Sequence, residues 1–97
     1  MASMGELKNK IKKCKSYLQT KFSVNQIGIF GSYAKGTQRK SSDLDILVVF
    51  RKSPGLFTFL ELEEYLSQLL GIKVDLVTKN SLKPVIGKTI MKEVVYI

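Results

Sequence analysis

Two aspartates stand inside runs that otherwise read as buried β-strands, and this placement constrains the fold more than any other feature of the chain. Asp45 opens Asp45-Ile46-Leu47-Val48-Val49-Phe50, and Asp75 lies within Ile72-Lys73-Val74-Asp75-Leu76-Val77. β-Branched and aromatic residues suit pleated backbone, whereas aspartate is depleted there, so each acid asks for a reason. A third short run, Ile27-Gly28-Ile29-Phe30, predicts another buried strand upstream.

Between this upstream run and the one that Asp45 opens lies the polar stretch Gly31-Ser32-Tyr33-Ala34-Lys35-Gly36-Thr37-Gln38-Arg39-Lys40-Ser41-Ser42. Its glycines permit tight backbone and close approach of a ligand, and Ser32 offers a hydroxyl and an N–H where a short helix can start. Such a corner suits a triphosphate. Asp43 and Asp45 follow, and strand alternation points both to one face with Cα atoms roughly 6.5 Å apart. Carboxylates so spaced can share divalent cations, and Mg2+ takes hard oxygen ligands, one or two carboxylates together with phosphate oxygens. If the strand carrying Asp75 lies beside that of Asp45, Asp75 completes the ligand set and helps activate an attacking hydroxyl. Each piece alone has a plainer meaning: a turn, a loop entering a strand, a chance Asp-x-Asp. Spacing, strand-end position and a third acid on a later strand are three separate requirements met together.

The rest of the chain supplies helices. Leu7, Ile11, Cys14 and Leu18 mark one face of an opening helix, with Lys8, Lys10, Lys12, Lys13 and Lys15 largely on the others. A second helix is expected from about Thr58 to Leu70, with Thr58 and Glu61 as a capping box, Leu62, Leu66 and Leu69 as its apolar stripe and Gly71 as its stop. Pro84 fits the first turn of a third helix running through Ile86, Ile90 and Met91, and Val94-Val95-Tyr96-Ile97 reads as extended structure or a docking segment. The order gives an α/β (α+β) fold, a small mixed sheet of three to four strands flanked by helices, in one domain over residues 1–97. A chain of this size buries roughly 60 to 68% of its unfolded surface, enough for a modest core.

No apolar run approaches the roughly 18 residues of a membrane span, and the N-terminus lacks the apolar stretch of a secretion signal. Cys14 has no second cysteine to pair with, so a cytoplasmic protein is expected. Sixteen basic against eight acidic residues leave a charge of +8, which favours anionic partners. Nucleic acid is one candidate, but a solvated lysine face is the commoner meaning of such a balance. Lys35, Arg39 and Lys40 differ in lying on the loop between glycines and acids, where they can screen a triphosphate. The apolar C-terminus leaves homo-oligomerisation open.

Gly31-Ser32-Tyr33-Ala34-Lys35-Gly36, then Ser42-Asp43-Leu44-Asp45-Ile46-Leu47-Val48, then Gly71-Ile72-Lys73-Val74-Asp75-Leu76-Val77, resembles the minimal nucleotidyltransferases of the DNA polymerase β superfamily over nearly the whole chain. One departure is Lys35, which stands where arginine is common and loses the bidentate fork for a phosphate. The resemblance implies that Gly31 and Ser32, with Lys35, bind the phosphates of a nucleoside triphosphate. It implies that Asp43 and Asp45 ligate two Mg2+ ions, with Asp75 as third acid. The implied reaction is attack of a hydroxyl on the α-phosphorus, with ATP as donor and AMP transferred. Single-domain members of this type are often antitoxins paired with HEPN-domain toxins, some of which they adenylylate on tyrosine. Three alternatives remain at this level: a module that masks its partner without catalysis, a basic nucleic-acid regulator, and transfer to a small molecule such as an aminoglycoside.

Overall fold

The computed structural model describes residues 3–82 and 84–97. The strand-like runs become β1 (Val24–Phe30), β2 (Leu44–Phe50), β3 (Val74–Thr78) and a short β4 (Val95–Tyr96). They form one sheet in the order β3-β2-β1-β4. β1 pairs antiparallel with both β2 and β4, and β2 pairs parallel with β3, so the sheet is mixed. Parallel neighbours need a crossover connection, and a helix, α4 (Leu56–Leu70), supplies it.

Residues of β2 alternate between two surroundings. Leu44, Ile46 and Val48 are fully buried and join one core with Ile27 and Ile29 of β1 and Val74 and Leu76 of β3. Helices α1 (Met4–Lys13), α2 (Lys15–Phe22) and α4 close that core with Leu7, Ile11, Leu18, Leu62 and Leu66. The other face of β2 carries Asp45 and the buried Leu47.

The opening helix differs from expectation by breaking at Cys14, whose backbone sits at φ −103° and ψ 11°. Its N–H bonds back three residues to Ile11 O at 3.1 Å, tightening the last turn of α1. That redirection lets α1 contact α4 while α2 packs on β1. The expected capping box is also absent. α4 begins at Leu56 behind Gly55, with no side-chain cap, and Thr58 falls inside its first turn. The Ser53-Pro54-Gly55 segment, with Gly55 in extended backbone, leads into the helix instead, and the buried stripe is Leu62, Leu66 and Leu70, with Leu69 only half-buried. β1 starts three residues earlier than its apolar run, since Asn25 and Gln26 are exposed yet still in the strand.

A fifth helix, α5 (Pro84–Glu93), lies where Pro84 predicts it, and the C-terminal segment is extended. Gly28 makes that ending fit: a Cβ there would stand 2.8 Å from Val94 Cγ2 and 3.0 Å from Val95 O. Ile97 N then bonds Ile27 O at 3.0 Å. No described helix is long and apolar enough to cross a membrane.

Candidate active site

The site begins where β1 ends. Gly31 takes φ 75° and ψ −150°, a conformation suited to glycine, and turns the chain into the one-turn helix α3 (Ser32–Lys35). Buried Tyr33 anchors α3 to the core, and Gly36 in the left-handed region ends it. The following loop folds on itself at Arg39 and Ser42: Arg39 N donates to Ser42 Oγ at 2.9 Å, and Ser42 N to Arg39 O at 3.0 Å. This turn delivers the chain to Asp43 and β2.

Strand register then gathers the acids. Asp45 pairs with Phe30 on one side and with Asp75 on the other, because β3 lies parallel beside β2 with these two residues in line. The expectation that Asp75 neighbours Asp45 is met by the sheet order itself. Asp43 precedes β2 by one residue and is exposed, with its carboxylate 4.0 Å from Lys73 Nζ. Gly31 lies against the Asp45 carboxylate so closely that a Cβ at Gly31 would run into Asp45 Oδ2. The glycine corner and the acids thus form one surface.

Electrostatics mark Asp45 as the pressed member. Its pKa is pushed above the ordinary carboxylate range, first by burial, then by the negative charges of Asp75 and Asp43, and further by a hydrogen bond with Asp75. Like charges held this close favour proton uptake or a cation. Among the described residues no three acid, histidine or cysteine side chains are already closed into a ligand cluster. The donor set nonetheless fits a hard divalent cation: every donor is a carboxylate oxygen, and the repulsion raising the Asp45 pKa is what such a charge relieves. A cleft of about 540 Å³ opens beside Asp43, walled by Tyr33, Ser42, Ile72 and the lysines Lys40 and Lys73. A second hollow of about 320 Å³ lies by Phe50 and Phe59, at the far end of β2 from the acids.

Lys35 occupies the expected loop, but its ammonium pairs with Glu93 Oε1 of α5 at 3.1 Å. Glu93 carries no motif that sequence could flag. Lys73 was legible in principle, since it stands two residues before Asp75 on the same strand-like run.

Known proteins resemble this chain in sequence and in fold. A family model for the nucleotidyltransferase domain matches residues 11–97. The protein adenylyltransferase MntA of Thermococcus cleftensis is 48% identical over 97 residues, covering all of this chain and 98% of that one. A relative from Methanocaldococcus jannaschii is 48% identical over 98 residues, covering both chains fully. A minimal nucleotidyltransferase structure superposes with TM-score 0.83 at 30% identity, over 97% of this chain and 95% of its own. A toxin-antitoxin crystal structure with AMP-PNP superposes with TM-score 0.75 at 31% identity, over 91% of this chain and 69% of that one. Matched by that family model over residues 11–97 and 48% identical over its full length to a protein adenylyltransferase, the chain belongs to the nucleotidyltransferase family of enzymes.

Proposed function

We propose that residues 1–97 work as one unit that transfers AMP from ATP to a hydroxyl of a protein partner, as the antitoxin of a HEPN/MNT pair in the cytoplasm. The observation that carries this reading is the alignment of Asp45 with Asp75 beneath Gly31, where a Cβ has no room. A relative 48% identical bears the name of a protein adenylyltransferase, and structures 29% and 31% identical are toxin-antitoxin complexes. The expected AMP donor agrees with the AMP-PNP in one of them.

In this reading Asp43, Asp45 and Asp75 would hold two Mg2+ ions, which when bound neutralise phosphate charge and activate the attacking oxygen. The chain's own residues do the positioning. Gly31 and Ser32 offer backbone N–H groups to the β- and γ-phosphates, and Lys40 and Lys73 line the neighbouring cleft with positive charge. The acceptor oxygen bonds the α-phosphorus as the bond to the bridging oxygen breaks and pyrophosphate leaves. Asp75 accepts the hydroxyl proton. Most of the rate gain is orientation and electrostatic preorganisation rather than covalent chemistry.

The test is incubation of the purified protein with Mg2+ and α-labelled ATP in an extract of its source cells, beside Asp43→Asn. Covalent label on a protein, with wild type alone, is the expected result. Label on a small molecule only, or none with either chain, overturns the proposal.

A further inference from the structure

β3 is an edge strand, so one row of its backbone donors faces away from the sheet. Lys73 O accepts from Leu44 N at 2.9 Å, and parallel pairing alternates, so the N–H groups of Val74 and Leu76 belong to that outward row. Both are taken by side chains of α4. Ser67 Oγ accepts from Val74 N at 3.0 Å while donating to Glu63 O at 3.0 Å, and Glu63 Oε2 accepts from Leu76 N at 2.9 Å.

The spacing is matched. Glu63 and Ser67 stand one turn apart on α4, about 6.0 Å along its axis, and the two donors stand about 6.6 Å apart along the strand. Between those donors lies Asp75, whose own backbone pairs inward with β2 opposite Asp45. The strand is therefore clamped on both sides at this one residue. Covering an edge for its own sake would not favour this place, and the next outward donor, Thr78 N, has no side-chain acceptor among the described residues. Attachment of α4 is likewise served already by buried Leu62, Leu66 and Leu70. An acceptor that carries charge also makes the stronger hydrogen bond.

We propose that Glu63 and Ser67 are positioning residues for Asp75, fixing β3 so that the Asp75 carboxylate meets Asp45 and the reacting hydroxyl. This rests on the reading of Asp75 as an acid of the nucleotidyl-transfer site. A displacement of about 1 Å there is worth on the order of a hundredfold in rate.

The test compares Glu63→Leu, Glu63→Gln and Ser67→Ala with wild type and Asp75→Asn, by three readouts. Amide exchange comes first: Leu76 exchanges at least about tenfold faster in Glu63→Leu, and Val74 in Ser67→Ala, the opening expected for one lost hydrogen bond. Label transfer comes second. In Glu63→Leu kcat falls roughly 10- to 100-fold with KM for ATP nearly unchanged, Glu63→Gln recovers most of it because its amide oxygen still accepts, and Glu63→Leu adds little to Asp75→Asn. Third, Mn2+ broadens the Asp75 amide resonance less in Glu63→Leu than in wild type. Unchanged Leu76 exchange, or losses that multiply in the double variant, overturn the inference. If wild type transfers no label, the nucleotidyl-transfer reading fails separately, and exchange with Mn2+ broadening still decides the positioning: identical values in Glu63→Leu overturn it.

Discussion

The two faces of β2 are built from neighbouring residues to opposite demands. Leu44, Ile46 and Val48 have no exposed surface and meet apolar side chains of both neighbouring strands and three helices. One residue away Asp45 is half-buried, crowded by Asp75 and Asp43, and holds its proton more tightly than an ordinary aspartate. A strand's two-residue period lets one seven-residue segment stabilise the fold on one side and concentrate charge on the other. The two properties should therefore separate under mutation. Leu66→Ala, in the packed layer, is expected to cost about 2–5 kcal/mol through lost burial and a cavity. For a chain of this size that lowers Tm by more than about 10 °C. Calorimetry measures it, and label transfer per folded molecule should stay within about twofold of wild type well below Tm. A transfer loss as large as the stability loss would break the separation.

Gly31 is where the faces are joined, and Gly31→Ala should damage both. The residue sits at φ 75°, and a Cβ would be driven into Asp45 Oδ2. Left-handed backbone and the forced shift of the carboxylate together are expected to cost about 1–3 kcal/mol. Unlike Leu66→Ala, the folded fraction of this variant should transfer label at least tenfold more slowly, because the moved group is the carboxylate itself. Full activity in the folded fraction would place the reacting groups elsewhere.

The sequence made the acid face more legible than the packed layer's boundaries, for physical reasons. Aspartates inside β-branched runs are costly enough to stand out, and strand pairing brings Asp45 and Asp75 together, with Asp43 one residue before β2. The start of α4 departs from the expectation because Thr58 and Glu61 match a capping pattern, whereas the helix begins two residues earlier, behind the extended Gly55. The break at Cys14 keeps the apolar spacing of a single helix, so periodicity carries no trace of it. Tertiary pairings were silent for another reason: Lys35 with Glu93, and Glu63 with Leu76 N, join residues far apart in sequence through groups that any exposed surface would carry.

A gentler probe is Asp45→Asn in metal-free buffer. Because burial and the charges of Asp75 and Asp43 raise its pKa above 3.8, the folded state binds this proton more tightly than the unfolded state. That stability is present below the unfolded pKa and is lost as pH rises through the raised folded value. Asn cannot ionise and suffers no such loss. The variant should melt above wild type at pH 7, with the gap closing as pH falls toward about 4. Added Mg2+ should raise the Tm of wild type and leave that of the variant nearly unchanged. A variant that melts below wild type at pH 7 would mean that the Asp45 carboxylate supports the fold, and the contrast between the faces would be lost.

The smallest effect concerns Lys35, which bridges the glycine corner to α5. The Lys35 side chain is 55% exposed and that of Glu93 25%, so their pair at 3.1 Å is expected to contribute only about 0–1 kcal/mol. Lys35→Ala and Glu93→Gln should therefore lower Tm equally and slightly, and salt should shrink the difference. Nucleotide affinity separates the two. If Lys35 leaves Glu93 for a phosphate when ATP binds, Lys35→Ala raises KM for ATP about three- to tenfold, whereas Glu93→Gln releases the lysine and lowers it. Equal KM values in both variants would make Lys35 a strut between α3 and α5, confining the phosphate contacts of this corner to Gly31, Ser32 and the lysines of the neighbouring cleft.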